Sequence, residues 1–245
     1  MILTIAHREI RSMFLSPLAW IILAVIQAIL GWMFLAQLEL FFMVQPQLLQ
    51  LENTPGVTDY VIAPLFATAS IILLLIMPLV TMRSLAEEKK NKTIALLFSA
   101  PISITQLVLG KFVGLLFFIL ILTALLMLMP LSLLVGTDLD LGKLLSIAIA
   151  MILLLGSFAS IGLYLSSLTD NQTIAAVSTF GALLMLWIID WGFDQTLFHY
   201  LSLLGHHQPL LEGVFDSADV SYFVLIMVLF IVLTIRRLDS DRLQH

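Results

Sequence analysis

The sequence predicts an all-α membrane protein with six transmembrane helices and two short helices outside the membrane core. Hydrophobic residues fill 61% of the 245 positions and charged residues only 11%, which is more apolar surface than a water-soluble domain can bury. The apolar residues form continuous runs, whereas a transmembrane β-barrel would show short segments of alternating polarity. Helices also satisfy their own backbone hydrogen bonds within hydrocarbon. We therefore expect a helical bundle.

Six apolar runs approach or exceed the roughly 20 helical residues that cross a hydrocarbon core of about 30 Å. The last two runs are the shortest. We expect all six to belong to one transmembrane domain over residues 1–245. The expected spans are Pro17–Leu38, Val61–Met82, Phe112–Val135, Leu144–Leu165, Thr173–Ile189 and Val220–Ile235.

The basic residues predict the orientation of these spans, because lysine and arginine accumulate in cytoplasmic loops. With the amino terminus inside, ten of the eleven basic residues face the cytoplasm, and Lys143 alone lies outside. We therefore expect both termini to be cytoplasmic. The net charge of -5 reflects acidic external loops and argues against a nucleic-acid partner.

Residues 1–15 are expected to form an interfacial helix before the first span. Ile2, Ile5 and Ile10 fall on one side of a helix, and Arg8 and Arg11 lie elsewhere on its surface, a pattern typical of a helix lying in the membrane interface. The alternative is an ordinary positively charged flank of the first span.

Two longer external loops are expected, at residues 39–60 and 192–219. The second contains an apolar stretch at 197–204 that is too short to span. We expect this stretch to rest in the outer interface or to re-enter the membrane partway, and a packed external loop is the alternative. His199, His206 and His207 lie in this loop, but they have no established metal-ligand spacing, so no metal site is expected.

The cytoplasmic loop between the second and third spans is expected to hold a short helix over residues 84–100. Ser84 and Glu87 have the spacing of a capping box, and Pro101 follows the expected end. Basic residues alone would serve to set topology. They do not explain the apolar residues 94–98, which would face the cytosol unless a partner or the bilayer covers them. The pattern therefore favours a protein-docking element.

Residues for several kinds of chemistry are missing from the sequence. No span carries an ionisable residue in its middle, which disfavours ion-coupled carriers and membrane-embedded enzymes. The Gly110–Lys111 pair is followed by Phe112, where a phosphate-binding loop needs serine or threonine for magnesium. We therefore expect Lys111 to be a charged anchor of the third span and no cofactor to bind directly. Gly156 and Ser160 have the spacing of a close helix contact, within or between subunits.

The stretch "AEEKKNKTIALLFSAPISITQLVLGKFVG", residues 86–114, resembles the cytoplasmic loop of ABC-2-type permeases. That loop commonly has an acidic pair, basic residues, Gly-Thr, a leucine pair and proline, and then Gly-Lys opening the next span. Lys92 stands where glycine is common, and Ala95 stands where an acidic residue is usual. The matching positions are Glu87, Glu88, Lys89, Thr93, Leu96, Leu97, Pro101, Gly110 and Lys111.

Residues 162–187 and 200–242 are similar to the gliding-motility-associated branch of these permeases. The resemblance implies a transmembrane permease subunit that pairs with a second permease copy and two copies of a cytoplasmic ABC ATPase. ATP and magnesium would bind to the ATPase. This branch often includes a further membrane-anchored protein with a large extracytoplasmic domain.

The resemblance also implies that the helix at 84–100 is a coupling helix that docks in the ATPase. We expect export or extraction of an amphipathic substrate, and the alternative is a non-transporting ABC assembly that transmits force or a signal to an extracytoplasmic partner. A second cytoplasmic contact is expected at Thr169, Asp170 and Asn171, where a plain tight turn is the alternative. The expected ATPase-coupling residues are Glu87, Glu88, Lys89, Lys90, Thr93, Leu96, Leu97, Ser99 and Pro101.

Overall fold

The regular elements of the described residues are all helical. The computed structural model describes residues 1–48, 56–91, 103–135, 139–189 and 201–243. Within these ranges a π-helical turn lies at Thr58–Ile62 and a 3₁₀ turn at Ser132–Val135. The α-helices are α1 (Ile2–Leu15), α2 (Pro17–Leu48), α3 (Ala63–Thr81), α4 (Arg83–Lys90), α5 (Ile104–Leu131), α6 (Leu141–Leu168), α7 (Gln172–Ile188), α8 (Leu203–Leu211) and α9 (Ser217–Leu243).

Five segments of the described chain are helical, long and apolar enough to cross a membrane. A further helix, α7, is apolar but shorter. The chain is therefore a multi-pass helical membrane protein, and the sixth crossing stays a prediction. The five segments are Pro17–Pro46, Thr58–Lys90, Ile104–Leu134, Leu141–Leu168 and Ser217–Arg242.

Helix α6 lies at the centre of the bundle. It contacts α3, α5, α7, α8 and α9. In its most apolar stretch of 18 residues 72% of the residues are buried, against 22% in the corresponding stretch of α9. Small residues permit these close contacts. A Cβ atom at Gly156 would come within 2.8 Å of Met227 Sδ on α9, and one at Gly162 would overlap the Thr81 side chain on α3. The close contact predicted at Gly156 is thus made within the chain.

Helices α2 and α5 are among those that extend beyond the predicted spans. Helix α2 continues to Leu48 with Pro46 in its last turn, so the external loop predicted from residue 39 is wrong at its start. The reason is packing, because Phe41 is buried and its ring lies 5.8 Å from that of Tyr60. Helix α5 begins at Ile104, eight residues before the predicted span, because Ser103 and Gln106 form a complete capping box.

Helix α8 packs against α3, α6, α7 and α9 rather than lying apart from the bundle. Leu203 and Leu210 are fully buried. Ser146 Oγ on α6 donates to the Leu210 carbonyl oxygen at 2.8 Å, and His207 Nε2 lies 2.8 Å from Ser70 Oγ on α3. The described part of the predicted loop at 192–219 is therefore a packed helix, and its depth in the membrane stays a prediction.

Candidate functional site

Helix α4 carries the first predicted site residues, directly beyond the second apolar span. Met82 between α3 and α4 has helical dihedrals, φ -56° and ψ -30°. An N-cap residue needs non-helical dihedrals, so the predicted capping box at Ser84 and Glu87 is wrong. Ser84 lies inside the helix, and its buried Oγ has no hydrogen-bond partner among the described residues. Helix α4 is thus a nearly direct continuation of α3.

The first turn of α4 is capped by Ser166, which lies about 80 residues further along the chain, at the end of α6. Ser166 Oγ accepts hydrogen bonds from the backbone N–H of Leu85 at 3.1 Å and of Ala86 at 2.9 Å. It also donates to the Met82 carbonyl oxygen at 3.1 Å. We call this contact the Ser166 junction. It satisfies backbone groups at the α3–α4 turn and fixes α4 to the central helix.

Lys111 on α5 binds groups from two other helices. Its Nζ lies 2.7 Å from the Ser84 carbonyl oxygen, 2.9 Å from Glu88 Oε1 and 3.3 Å from Glu9 Oε2 on α1. The residue is only 1% exposed, and three acceptors match the three donors of an ammonium group. We call Glu9, Ser84, Glu88 and Lys111 the Lys111 cluster. The predicted charged anchor is instead a buried tie between α1, α4 and α5.

Helix α1 approaches α5 closely beside this cluster. A Cβ atom at Gly110 would lie 2.7 Å from Ile5 Cβ, and one at Gly114 would lie 2.9 Å from Glu9 Cβ. Larger side chains at either position would push α1 away from α5. The two glycines therefore bring the Glu9 carboxylate within reach of Lys111.

Lys89 joins α4 to the end of α6 and to α9. Its Nζ donates to the Ser167 carbonyl oxygen at 2.6 Å and to Asp241 Oδ2 at 2.7 Å. Asp241 also lies 3.4 Å from Arg237 on its own helix. With the Ser166 junction and the Lys111 cluster, this contact ties α4 to four helices of the bundle.

The structure brings part of the predicted site together. Glu87, Glu88, Lys89 and Lys90 all lie on α4. The Glu88 carboxylate pairs with Lys111, and the Lys89 ammonium pairs with Asp241. The remaining predicted coupling residues lie outside the described residues, and they are Thr93, Leu96, Leu97, Ser99 and Pro101.

The predicted second contact forms a turn directly after α6. Asn171 Oδ1 accepts from the Thr173 N–H at 2.9 Å, and Thr169 Oγ1 accepts from the Asn171 N–H at 3.1 Å. Asn171 is therefore the N-cap of α7, and Asp170 is exposed. Because Lys89 binds the carbonyl of Ser167, this turn lies at the same end of the bundle as α4.

The histidines of the predicted external loop have separate partners. His206 Nδ1 lies 2.7 Å from Asp219 Oδ1, and His207 Nε2 contacts Ser70. Burial lowers the pKa of His207 to about 3. His199 lies outside the described residues. Within the described chain, no group of three or more histidine, cysteine, aspartate or glutamate residues could hold a metal ion.

Glu9, Ser166 and Asp241 are partners of α4 and α5 that were not predicted from the sequence. Each is distant in sequence from the residue that it binds, so no local pattern marks these pairs. One usable signal was present: Gly110 and Gly114 have the spacing of a close helix contact around Lys111. That spacing indicates a neighbouring helix over the lysine.

Among the described residues the arrangement contains no catalytic set, but it can transmit displacement, because one short helix is tied to several spans at one end. The model of the family described as ABC-2 family transporter protein matches residues 3–209. Comparison with curated proteins gives no match. Permeases of this family are the transmembrane components of ABC transporters rather than enzymes themselves, and they generally dimerise and work with a cytoplasmic ABC ATPase. The chain belongs to the ABC-2 family of transporter proteins as a transmembrane permease.

Proposed function

We propose that a separate cytoplasmic ATPase drives this permease by docking on α4 and the segment that follows it. The observation that carries the proposal is the attachment of α4: it prolongs the second span and is tied through buried polar contacts to α1, α5, α6 and α9. A rigid-body displacement of α4 would therefore move several spans together.

The proposed docking surface combines the outer face of α4 with residues 92–101. Glu87 and Lys90 lie on α4 beside the groups already bound within the chain. Leu96 and Leu97 supply apolar contact, and the exposed turn at Thr169–Asn171 is the proposed second contact. ATP and magnesium would bind to the ATPase, which would close around them and displace α4.

The proposed assembly has two permease copies and two ATPase copies in a bacterial inner membrane, with both permease termini in the cytoplasm. The substrate class that fits the apolar spans is an amphipathic molecule, exported or extracted from the membrane. Assignment to the gliding-motility-associated branch rests on sequence similarity at residues 162–187 and 200–242, and it adds an extracytoplasmic partner protein.

Docking can be tested by affinity purification of the permease in mild detergent, with bound proteins identified by mass spectrometry. We expect the wild-type chain to retain an ABC ATPase and the variant Leu96→Asp/Leu97→Asp to lose it. Glu88 is left unchanged, because its carboxylate binds Lys111. The matched control is Leu141→Asp/Leu145→Asp. It alters two exposed leucines in the first turns of α6, at the end of that helix opposite to Ser166. Equal retention by all three proteins would exclude this docking surface.

Transport can be tested with the co-purified ATPase and permease in vesicles that contain a fluorescent phospholipid. We expect ATP to drive net movement of the labelled lipid between leaflets. ATPase activity that the permease stimulates without any lipid movement would contradict a lipid-like substrate and would favour transmission of force to a partner.

A further inference from the structure

A cavity of about 500 Å³ lies beside the Lys111 cluster, between α1, the start of α2, α4 and α5. Its floor is apolar and includes Leu18, Ala19, Ile22 and Phe118. Its rim is charged and includes Arg8, Arg83 and Glu87. An apolar floor with a few convergent polar groups is the usual form of a small-molecule site.

Two basic side chains on this rim make no ion pair with any described residue. Lys111 is occupied by its two carboxylates and one carbonyl. Arg8 and Arg83 are exposed and make no ion pair or side-chain hydrogen bond with any described residue. Arginine presents a planar fork of donors that matches a phosphate group. The unmatched guanidinium groups therefore favour a phosphate-bearing ligand.

We propose that this cavity binds the headgroup and glycerol region of a phospholipid that carries a primary ammonium group. The lipid phosphate binds Arg8 and Arg83, and the ammonium binds Glu87. The apolar floor takes the first methylene groups of the acyl chains. The binding site does not depend on whether an ATPase docks on α4.

Charge balance selects an aminated headgroup over an anionic one. The cavity is lined by three basic side chains, Arg8, Arg83 and Lys111, and by three carboxylates, Glu9, Glu87 and Glu88. A net-neutral lining matches a zwitterion. Ethanolamine can donate hydrogen bonds to Glu87, whereas the trimethylated ammonium of choline cannot.

Native mass spectrometry of the purified permease tests the proposal, with phosphatidylethanolamine, phosphatidylcholine or phosphatidylglycerol added at equal concentration. We expect one phosphatidylethanolamine per chain to be retained preferentially. Retention should fall by about tenfold or more in Arg8→Gln/Arg83→Gln, because two charge-assisted contacts are lost. Glu87→Gln should abolish the preference for phosphatidylethanolamine over phosphatidylcholine.

Arg236→Gln is the matched control, because it removes an arginine from α9 that does not line this cavity. Retention that falls equally in the control would show general electrostatic attraction and would overturn the proposal. Unchanged retention in Arg8→Gln/Arg83→Gln, or preferential retention of phosphatidylglycerol, would also overturn it. Soluble glycerophosphoethanolamine is the last arm: if it displaces the lipid at equal concentration, the site takes a free phosphoamine and the lipid assignment is wrong.

Discussion

Replacing Lys111 with methionine leaves the Glu9 and Glu88 carboxylates without the ammonium group that they share. The Lys111 side chain is 2% exposed and its partners are 18% and 17% exposed, so solvent reaches the site poorly. Removing one partner from a buried ion pair costs about 3–5 kcal/mol. Methionine preserves most of the apolar side-chain volume, so the decrease in the free energy of unfolding comes mainly from the lost charge.

The measurement is thermal unfolding of the purified permease in detergent. For a chain of this size, 1 kcal/mol shifts the melting temperature by roughly 2–4 °C. The expected decrease for Lys111→Met is therefore about 6–20 °C. Adding Glu9→Gln and Glu88→Gln to Lys111→Met should recover part of the decrease, since neutral amides do not repel each other.

The control is Lys143→Met. Lys143 lies in the first turn of α6, at the end opposite to Ser166, and pairs with Asp59. The Asp59 side chain is 48% exposed, and ion pairs with such solvent access contribute about 0–1 kcal/mol. We expect a decrease of about 0–4 °C. If both variants lower the melting temperature equally, Lys111 does not hold the helices together as the geometry implies.

Three further predictions use the same unfolding measurement. Gly162→Ala should destabilise the protein by about 1–3 kcal/mol, because the new Cβ overlaps Thr81. Gly181→Ala should be neutral or stabilising, because nothing lies within 4 Å of its Cβ. Equal effects of the two substitutions would contradict the close contact at Gly162. Ser166→Ala should lower the free energy of unfolding by about 0.5–2 kcal/mol by uncapping α4. Ser240→Ala, at an exposed serine on α9, should lower it less. Equal effects would mean that Ser166 does not cap α4. His207 binds a proton in the unfolded chain at about pH 6.5 but in the folded chain only near pH 3. Its contribution to stability is therefore complete above pH 6.5 and falls on acidification, by about 2 kcal/mol between pH 7.5 and pH 5. His207→Gln should remove that part of the pH dependence, and an unchanged dependence would contradict the burial of neutral His207.

Hydropathy predicted where the long helices lie, because the apolar runs themselves determine membrane insertion. Local side-chain chemistry explains the N-cap at Asn171, since its acceptor and donor are two residues apart. The capping box predicted from local chemistry at Ser84 is wrong. There the preceding helix does not end, so no N-cap conformation exists.

The contacts that hold the candidate site together depend on tertiary structure, and a single sequence does not display them. Ser166 caps a helix about 80 positions earlier, and Lys89 binds Asp241 across 152 positions. Lys111 looked like an interfacial anchor because its flanking residues begin an apolar run. Its burial follows from the arrival of α1 over Gly110 and Gly114, which only the fold reveals.

The pairing of Glu9 with Lys111 also orders events during biosynthesis. The two residues are 102 positions apart, so at about 5–20 residues per second α1 is made roughly 5–20 s before its partner helix. Until then, the neighbouring helix already made is α2, where the Phe14 ring lies 5.5 Å from that of Trp20. A third span inserted in the wrong orientation would place Lys111 at the opposite membrane face. The docking of α1 on Lys111 therefore requires correct insertion of the third span, and it can precede synthesis of the second half of the chain.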